Sequence, residues 1–231
     1  MVVFADRVDA GRQLAKRLAH LRGQDVVVLG LPRGGVPVAF EVAEALDAPL
    51  DVIVVRKLGV PYQPDLAMGA LGEGGARVLD AHVLAHTQVS DDELLAVERR
   101  ELSALEMRVE RLRRGRERVD LNGRTAIVVD DGIATGSTAR VACKVARHLG
   151  AAKVILASPV SPAETIRHLP EADEVVCVST PQNFGAVGHF YRDFSPTSEE
   201  EVIALLDAAA RRTQMAAPSA VVPGTSKSVP R

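Results

Sequence analysis

Apolar residues along the chain occur in two patterns, a helical spacing and short continuous runs. Residues 5–22 place leucines at i, i+4 and i+7 behind acidic residues, which predicts a capped amphipathic helix that packs on the core: Leu14, Leu18 and Leu21 after Asp6 and Asp9. Downstream, short apolar runs without polar alternation are typical of strands buried on both faces. These runs are Val26–Leu29, Val52–Val55, Ala126–Val129, Val154–Ala157 and Val175–Val178. Helical segments between the runs predict a five-stranded parallel sheet of the α/β class.

Two segments depart from this alternation. Residues 66–79 carry the pair Gly74–Gly75 between apolar runs and predict a hairpin at a sheet edge. Residues 91–118 predict one long extra helix with an apolar stripe of Leu95, Leu102, Leu105, Val109 and Leu112. Its basic residues are either a solvated face or a phosphate-binding cluster: Arg111, Arg113, Arg114, Arg116 and Arg118.

Charge and cysteine content narrow the class of partner. The chain has 28 Lys+Arg and 30 Asp+Glu, a formal charge of −2, so nothing electrostatic favours nucleic acid or an anionic membrane as a partner. No apolar run is long enough to cross a membrane. The two cysteines, Cys143 and Cys177, lie in apolar stretches, which excludes a disulfide scaffold and a thiolate zinc cage. We expect a cytoplasmic protein with no metal-ligand set of its own.

The chemistry concentrates in one strand–loop–helix segment. Asp130 and Asp131 follow a buried strand, and the loop Thr135–Thr138 leads into a helix. Backbone N–H groups and hydroxyls at a helix N-terminus bind an anion, whereas paired carboxylates accept hydrogen bonds from vicinal hydroxyls and can hold Mg²⁺ nearby. A ribose 5-phosphate moiety satisfies both. The alternative is that the acids merely cap a βα turn. The loop is not a Walker A motif, because its glycines are too close together and no lysine follows the second.

This segment resembles the phosphoribosyl pyrophosphate (PRPP) loop of the type I phosphoribosyltransferases: four apolar residues, two acids and a stretch ending Thr-Gly-x-Thr. The resemblance implies their fold, a five-stranded parallel sheet flanked by helices with a small variable hood. It assigns the ribose hydroxyls to the acids and the 5-phosphate to the loop, over Asp130, Asp131, Gly132, Ala134, Thr135, Gly136, Ser137 and Thr138. Ala134 replaces the acid of the hypoxanthine enzymes, so no base is expected at that position.

Two basic segments extend the resemblance. Arg33-Gly34-Gly35 follows the first core strand, where the family binds pyrophosphate; two glycines permit close backbone approach and Arg33 adds a fixed charge. On its own such a turn is typical of a surface loop. Arg56-Lys57 follows the strand Val52–Val55, where family members place a basic residue on the diphosphate. Because ligands bind at the carboxyl ends of parallel strands, the three motifs are expected to converge. The family often has a cis peptide at the bond matching Pro32–Arg33.

The resemblance also divides the chain. It implies a domain over residues 1–212, with the core at about 26–178 and the hood from about 179–195 plus other segments; the Pro- and Ser-containing residues 213–231 are expected to form a flexible tail or linker. In the hood, Phe184 and Tyr191 are candidates for stacking on the base, although core packing explains these aromatics equally well. Glu73 is similar to the acidic loop residue of the adenine enzymes and is a candidate acid/base.

Two functions stay open. The first is an enzyme that moves the 5-phosphoribosyl group of PRPP, bound as its Mg²⁺ complex, to a nitrogenous base, with Arg33 and Lys57 stabilising the departing pyrophosphate. Its partners would be PRPP and a nucleobase-like small molecule, and family analogy suggests a homodimer. The second is a non-catalytic sensor of PRPP or a nucleotide. Ala134 and the unrecognisable hood favour the sensor, whereas the complete pyrophosphate loop favours the enzyme.

Overall fold

Helices and strands alternate through residues 3–216, the part of the chain that the computed structural model describes. The helices are α1 (Arg7–Arg17), α2 (Gly35–Leu46), α3 (Ala81–Thr87), α4 (Asp91–Arg113), α5 (Ser137–His148), α6 (Ala163–Arg167) and α7 (Glu199–Ala216). The strands are β1 (Val26–Gly30), β2 (Leu50–Val52), β3 (Val55–Val60), β4 (Gln63–Gly72), β5 (Arg77–Leu79), β6 (Thr125–Val129), β7 (Lys153–Val160) and β8 (Glu174–Ser179).

Five of the strands form the parallel sheet that the apolar runs predict, in the order β2-β1-β6-β7-β8. In β1, Gly30 lies opposite Val52 on one side and Val129 on the other, so these three strands end at one level. Both faces of β1 are buried: Val28 packs into the cluster beneath α1 and α2, and Val27 into the cluster beneath α5. Burial on both faces explains why this strand reads as a continuous apolar run.

The second core strand differs from its prediction. Only its first residue, Val52, belongs to the parallel sheet, because β2 ends there and Val55 begins β3. Strand β3 pairs with β4 and β4 with β5 in a separate antiparallel sheet. Arg56 and Lys57 therefore lie inside β3, and not after the end of a strand as the apolar run Val52–Val55 indicates. The predicted hairpin exists as β4–β5, but in this second sheet.

The long helix α4 is shorter than predicted, and in its first half it buries other residues than the predicted stripe. It begins at a capping box between Ser90 and Glu93 and ends at Arg113, five residues before 118. Its buried apolar side chains are Leu94, Val97, Leu105 and Leu112. Leu95 and Leu102, two members of the predicted stripe, are 42% and 39% exposed. Leu105 and Leu112 of the predicted stripe are buried, whereas in the first half of the helix the buried residues are Leu94 and Val97.

The hood is built from both ends of the described chain. Phe4 forms an isolated bridge with Tyr191, and Phe4 N donates to Phe190 O at 2.8 Å. Helix α7 then packs on α2 and α4 and continues past Arg212 to Ala216. The rest of the predicted tail, 217–231, lies outside the described residues. Within the described residues, no helix combines the length and apolar character needed to cross a membrane.

Candidate functional site

The Thr-Gly-x-Thr loop lies between the buried end of β6 and the first turn of α5. Thr135, Ser137 and Thr138 are exposed, and the Thr135 and Ser137 hydroxyl oxygens lie 3.2 Å apart. The loop lines a cavity of about 180 Å³ together with Asp130 and Gly132. Because the positive end of α5 adds to these donors, the cavity has the chemistry of a phosphate site.

Asp130 lines this cavity, and burial desolvates the carboxylates of both Asp130 and Asp131. The Asp130 carboxylate accepts a hydrogen bond from Asp131 N at 2.9 Å. Burial, together with the adjacent charge of Asp131, raises the pKa of Asp130 well above its ordinary value. Burial also raises the pKa of Asp131, and the Arg7 guanidinium offsets part of that rise. A ligand that donates hydrogen bonds to these oxygens relieves the cost of their burial.

The Arg33-Gly34-Gly35 turn lies directly against the acid pair. A Cβ on Gly34 would collide with Asp131 Oδ2, and a Cβ on Gly35 would lie 2.6 Å from Val129 O. The glycines are therefore required for close approach of two loops, from β1 and from β6. The Pro32–Arg33 peptide bond is cis, as predicted. The turn, the acids and the phosphate cavity form one continuous site.

Two residues that sequence reasoning did not assign to this position hold Asp131. Arg7, the first residue of α1, donates from Nε to Asp131 Oδ2 at 2.9 Å, and its Nη2 forms an ion pair with the same oxygen at 2.8 Å. The Tyr191 hydroxyl donates to the Asp131 carbonyl oxygen at 2.5 Å. The sequence pattern of the helix containing Arg7 indicates only a packing element, and no local pattern reveals a contact between positions so far apart.

The match to a known family covers all of these segments. Residues 6–195 match the family described as the phosphoribosyl transferase domain. The chain belongs to the phosphoribosyltransferase family. Over 212 residues it is 60% identical to proteins from two strains of Mycobacterium tuberculosis, each named "Putative phosphoribosyl transferase". That match covers 91% of this chain and 48% of each relative, so the chain spans about half the length of these relatives.

A solved structure supports the fold assignment. The protein TT1426 from Thermus thermophilus superposes with a TM-score of 0.79 at 44% sequence identity. The superposition covers 89% of this chain and 98% of that chain. The fold is thus the type I phosphoribosyltransferase fold predicted from the loop motif. The second sheet and the helix α4 are added to its five-stranded core.

The candidate base-stacking residues are packed inside the hood. Tyr191 is 6% exposed, its ring lies 5.4 Å from that of Phe4, and burial raises the pKa of its hydroxyl. Phe184 is half-buried and stacks on Phe190 at 5.4 Å. The structure therefore gives Tyr191 a supporting position beneath Asp131, not the expected stacking position, since its ring has no free face for a base.

The basic residues near the turn include Arg108, which the sequence analysis does not name. Arg108 of α4 donates to Pro32 O at 3.4 Å, while its buried Nε has no partner among residues 3–216. Burial lowers the pKa of Arg108, and the nearby charges of Arg56 and Arg33 add to this effect. Lys57 is exposed, with its Nζ 3.3 Å from Asp65 O. Helix α4 thus brings Arg108 to the turn, a residue that sequence reasoning missed.

Glu73 is not at the site, contrary to its predicted role as acid/base. It is 4% exposed and ion-paired with Arg113. The adjacent Gly74 lies against His148, with its carbonyl 3.3 Å from the ring Nε2. His148 is the last residue of α5, and the loop Thr135–Thr138 lies at the other end of that helix. The 12 residues of α5 separate its two ends by about 18 Å. Antiparallel pairing of β4 with β3 turns this acid away from the loop.

The site fits Mg²⁺ through oxygen donors alone. Among the described residues, no group of three or more His, Cys, Asp and Glu side chains could hold a metal ion. Mg²⁺ prefers oxygen ligands, keeps several of its waters and is commonly bound through substrate phosphates. The site therefore suits an ion that enters as the complex of a phosphate ligand.

Proposed function

We propose that this chain transfers the 5-phosphoribosyl group of PRPP to a nitrogenous base and releases pyrophosphate. One observation carries the proposal: the turn at Gly34–Gly35 lies against Asp130 and Asp131, which lead directly into the loop Thr135–Thr138. An anion site at the turn is followed by the hydroxyl acceptors of the acid pair and by a second anion site at the loop. This order matches that of diphosphate, ribose and 5-phosphate in PRPP. We assign each motif to the corresponding part of the ligand.

The reaction breaks the bond between the anomeric carbon and the diphosphate and forms a bond from that carbon to a base nitrogen. Positive charge develops on the ribose ring as the diphosphate leaves. The Thr135–Thr138 loop fixes one end of the ribose and the acid pair fixes its hydroxyls, which holds the anomeric carbon in place for attack. Arg33 and the backbone N–H groups of its turn stabilise the departing anion. Mg²⁺, bound with PRPP, supplies further neutralisation of the diphosphate charge.

A second candidate, a sensor that binds PRPP or a nucleotide without turnover, is supported by a different observation. Glu73, the expected acid/base, is buried in an ion pair with Arg113, and the ring of Tyr191, the expected stacking residue, is buried against Phe4. A sensor needs neither group. If the chain is an enzyme, the base nitrogen loses a proton on attack, and a group other than Glu73 or Tyr191 must accept it.

Pyrophosphate release decides between the two functions. We would incubate the protein with PRPP, Mg²⁺ and single purine or pyrimidine bases, and measure pyrophosphate alongside PRPP binding by calorimetry. The enzyme releases pyrophosphate with at least one base. A sensor binds PRPP and releases none. The double variant Asp130→Asn/Asp131→Asn is the control: it should bind PRPP weakly and still bind inorganic phosphate, since the loop is intact.

The assembly state is a separate proposal. We infer from the resemblance a homodimer whose ligands are small molecules, with no nucleic-acid partner. Multi-angle light scattering gives the mass of the assembly directly, and a mass of one chain would contradict the dimer.

A further inference from the structure

Arg7 has every guanidinium nitrogen engaged at the site. Nε donates to Asp131 Oδ2, Nη2 lies within ion-pair distance of the same oxygen at 2.8 Å, and Nη1 donates to Ser195 O at 2.7 Å. The guanidinium carbon lies 4.1 Å from the centre of the Phe194 ring. The Arg7 side chain is 12% exposed and that of Asp131 is 15% exposed. Planar, charge-assisted contacts in a desolvated place are far stronger than a surface ion pair.

These contacts leave one oxygen of Asp131 available. Oδ2 is taken by Arg7 and lies against the backbone of Gly34, so only Oδ1 remains for a ligand hydroxyl. The main chain of the same residue is held from the hood, through the Tyr191 hydroxyl. The carboxylate of Asp131 is thus held by Arg7 from α1, while its main chain is held by Tyr191 from the hood and by Asp130 from the same loop.

We propose that Arg7 is a positioning residue for the ribose, which fixes the Asp131 carboxylate and leaves Oδ1 as its hydroxyl acceptor. This inference rests on the proposed function, because it assigns Asp131 to the ribose of PRPP. It adds to the family motif a residue from the first helix, which lies 124 positions away in sequence.

The charges around Asp131 define a measurable signature. Asp130 faces it from the same turn, Arg7 from α1, and Tyr191 from the hood, where Asp193 also lies near Arg7. Arg7 is the cation that opposes the effect of burial on the pKa of Asp131. Removing it raises that pKa further, so Asp131 becomes an ionised acceptor only at higher pH.

The test compares PRPP binding by calorimetry from about pH 5 to about pH 8 in four proteins: wild type, Arg7→Ala, Arg7→Lys and Arg12→Ala. Arg12 is the matched control, because it lies on the same helix and pairs with Glu41 on the surface. We expect Arg7→Ala to weaken PRPP binding about tenfold or more at neutral pH, with inorganic phosphate binding unchanged.

The pH profile separates positioning from a merely structural role. In Arg7→Ala the acidic fall in PRPP affinity should move to higher pH. Arg7→Lys should restore the wild-type profile while affinity stays reduced, because lysine supplies the charge without the planar fork. Arg12→Ala should match wild type. Wild-type affinity and pH profile in Arg7→Ala would overturn the inference. Should Arg7→Ala fail to fold, Arg7→Gln takes its place.

A second measurement does not depend on PRPP. Carboxyl ¹³C NMR follows the titration of Asp131 in the free protein, and Arg7→Ala should raise its pKa relative to wild type. An unchanged titration would also overturn the inference. If wild type binds no PRPP, the proposed function fails by itself, and the NMR titration still decides whether Arg7 controls Asp131.

Discussion

The Arg113 guanidinium and the Glu73 carboxylate form a buried ion pair where the long helix meets the two sheets. Arg113 also donates to Asp51 Oδ1 at 3.0 Å and to Val52 O at 3.1 Å, and Glu73 accepts from Val54 N at 3.0 Å. Although burial acts to lower it, the charges of Asp51 and Glu73 raise the pKa of Arg113. The group ties the end of α4 to the point where the chain leaves the parallel sheet.

This arrangement predicts a stability effect at Glu73 and no catalytic one. Glu73→Gln removes a buried charge from a paired cation and should lower the free energy of unfolding by about 3 kcal/mol. PRPP affinity and turnover should stay at wild-type values. Urea denaturation measures the free energy of unfolding. Calorimetry measures PRPP affinity, and pyrophosphate release measures turnover.

The surface pair of Arg77 and Glu98 supplies the control for this prediction. Arg77 is 47% exposed, so Glu98→Gln should cost less than about 1 kcal/mol. A Glu73→Gln protein of wild-type stability with strongly reduced turnover would restore Glu73 to the role of acid/base.

Thr138→Ala tests the phosphate cavity. The substitution removes a hydroxyl that we assign to the 5-phosphate, and a hydrogen bond to a charged group contributes about 1.5–3 kcal/mol. PRPP affinity should fall by about tenfold to a hundredfold, while the melting temperature stays close to wild type. Thr213→Ala, on α7, is the matched control with no expected loss. Equal PRPP affinities in wild type and Thr138→Ala would show that the 5-phosphate binds elsewhere.

Gly34→Ala tests the contact between the two loops. An added Cβ would collide with Asp131 Oδ2 and lie 3.2 Å from Arg7 Nε, so the turn must move away from the acids. Overpacking of this kind costs about 1–3 kcal/mol. Pyrophosphate affinity should fall by more than the stability does, whereas inorganic phosphate should still bind to the loop at α5. Separate calorimetric titrations with pyrophosphate and phosphate check this, and a parallel loss of both would contradict it.

The pKa of Asp130 predicts how the free protein responds to pH. Because that pKa is raised in the folded state, the folded chain binds more protons than the unfolded chain above the ordinary value of 3.8. Stability should therefore fall as pH rises from that value through the raised pKa. Asp130→Asn removes this loss and should stabilise the free protein by about 1–2 kcal/mol at neutral pH, while weakening PRPP binding.

Urea denaturation across the acidic and neutral range measures this difference. The exposed residue Asp65 provides the control, since Asp65→Asn should leave the pH dependence unchanged. A free protein whose stability is independent of Asp130 at every pH would contradict the buried charge. The acid pair thus stabilises a complex at the expense of the empty protein.

The parallel sheet and the phosphate loop could be predicted because their signals are local. A strand buried on both faces reads as an apolar run, and Asp130 to Thr138 are consecutive in sequence. The turn at Gly34–Gly35 is predictable in the same way, since it follows the strand β1 at once. Its contact with Asp131 follows from strand order, which places β1 beside β6.

The errors and omissions have a common physical origin in long-range packing. The apolar run Val52–Val55 serves two elements, so Lys57 lies inside β3, and Glu73 follows β4 into an ion pair with Arg113. Arg7 escapes prediction because its partner is on another strand's loop. Tyr191 is expected to stack on a base but is buried in the hood, because an aromatic ring packed in a core and one exposed to a ligand give the same sequence pattern. Sequence periodicity reports which face is buried and not which partner covers it.

The contact between Arg7 and Ser195 joins positions 188 apart. A ribosome makes the chain from its first residue, so all five parallel strands are complete at Ser179 before Tyr191 and Ser195 exist. A nascent chain at that stage contains Arg7 and the acid pair, but it lacks the hydroxyl that donates to Asp131 O and the carbonyl that anchors Arg7. The contacts that fix Asp131 are therefore completed only after the sheet and the loop Thr135–Thr138 have been synthesised.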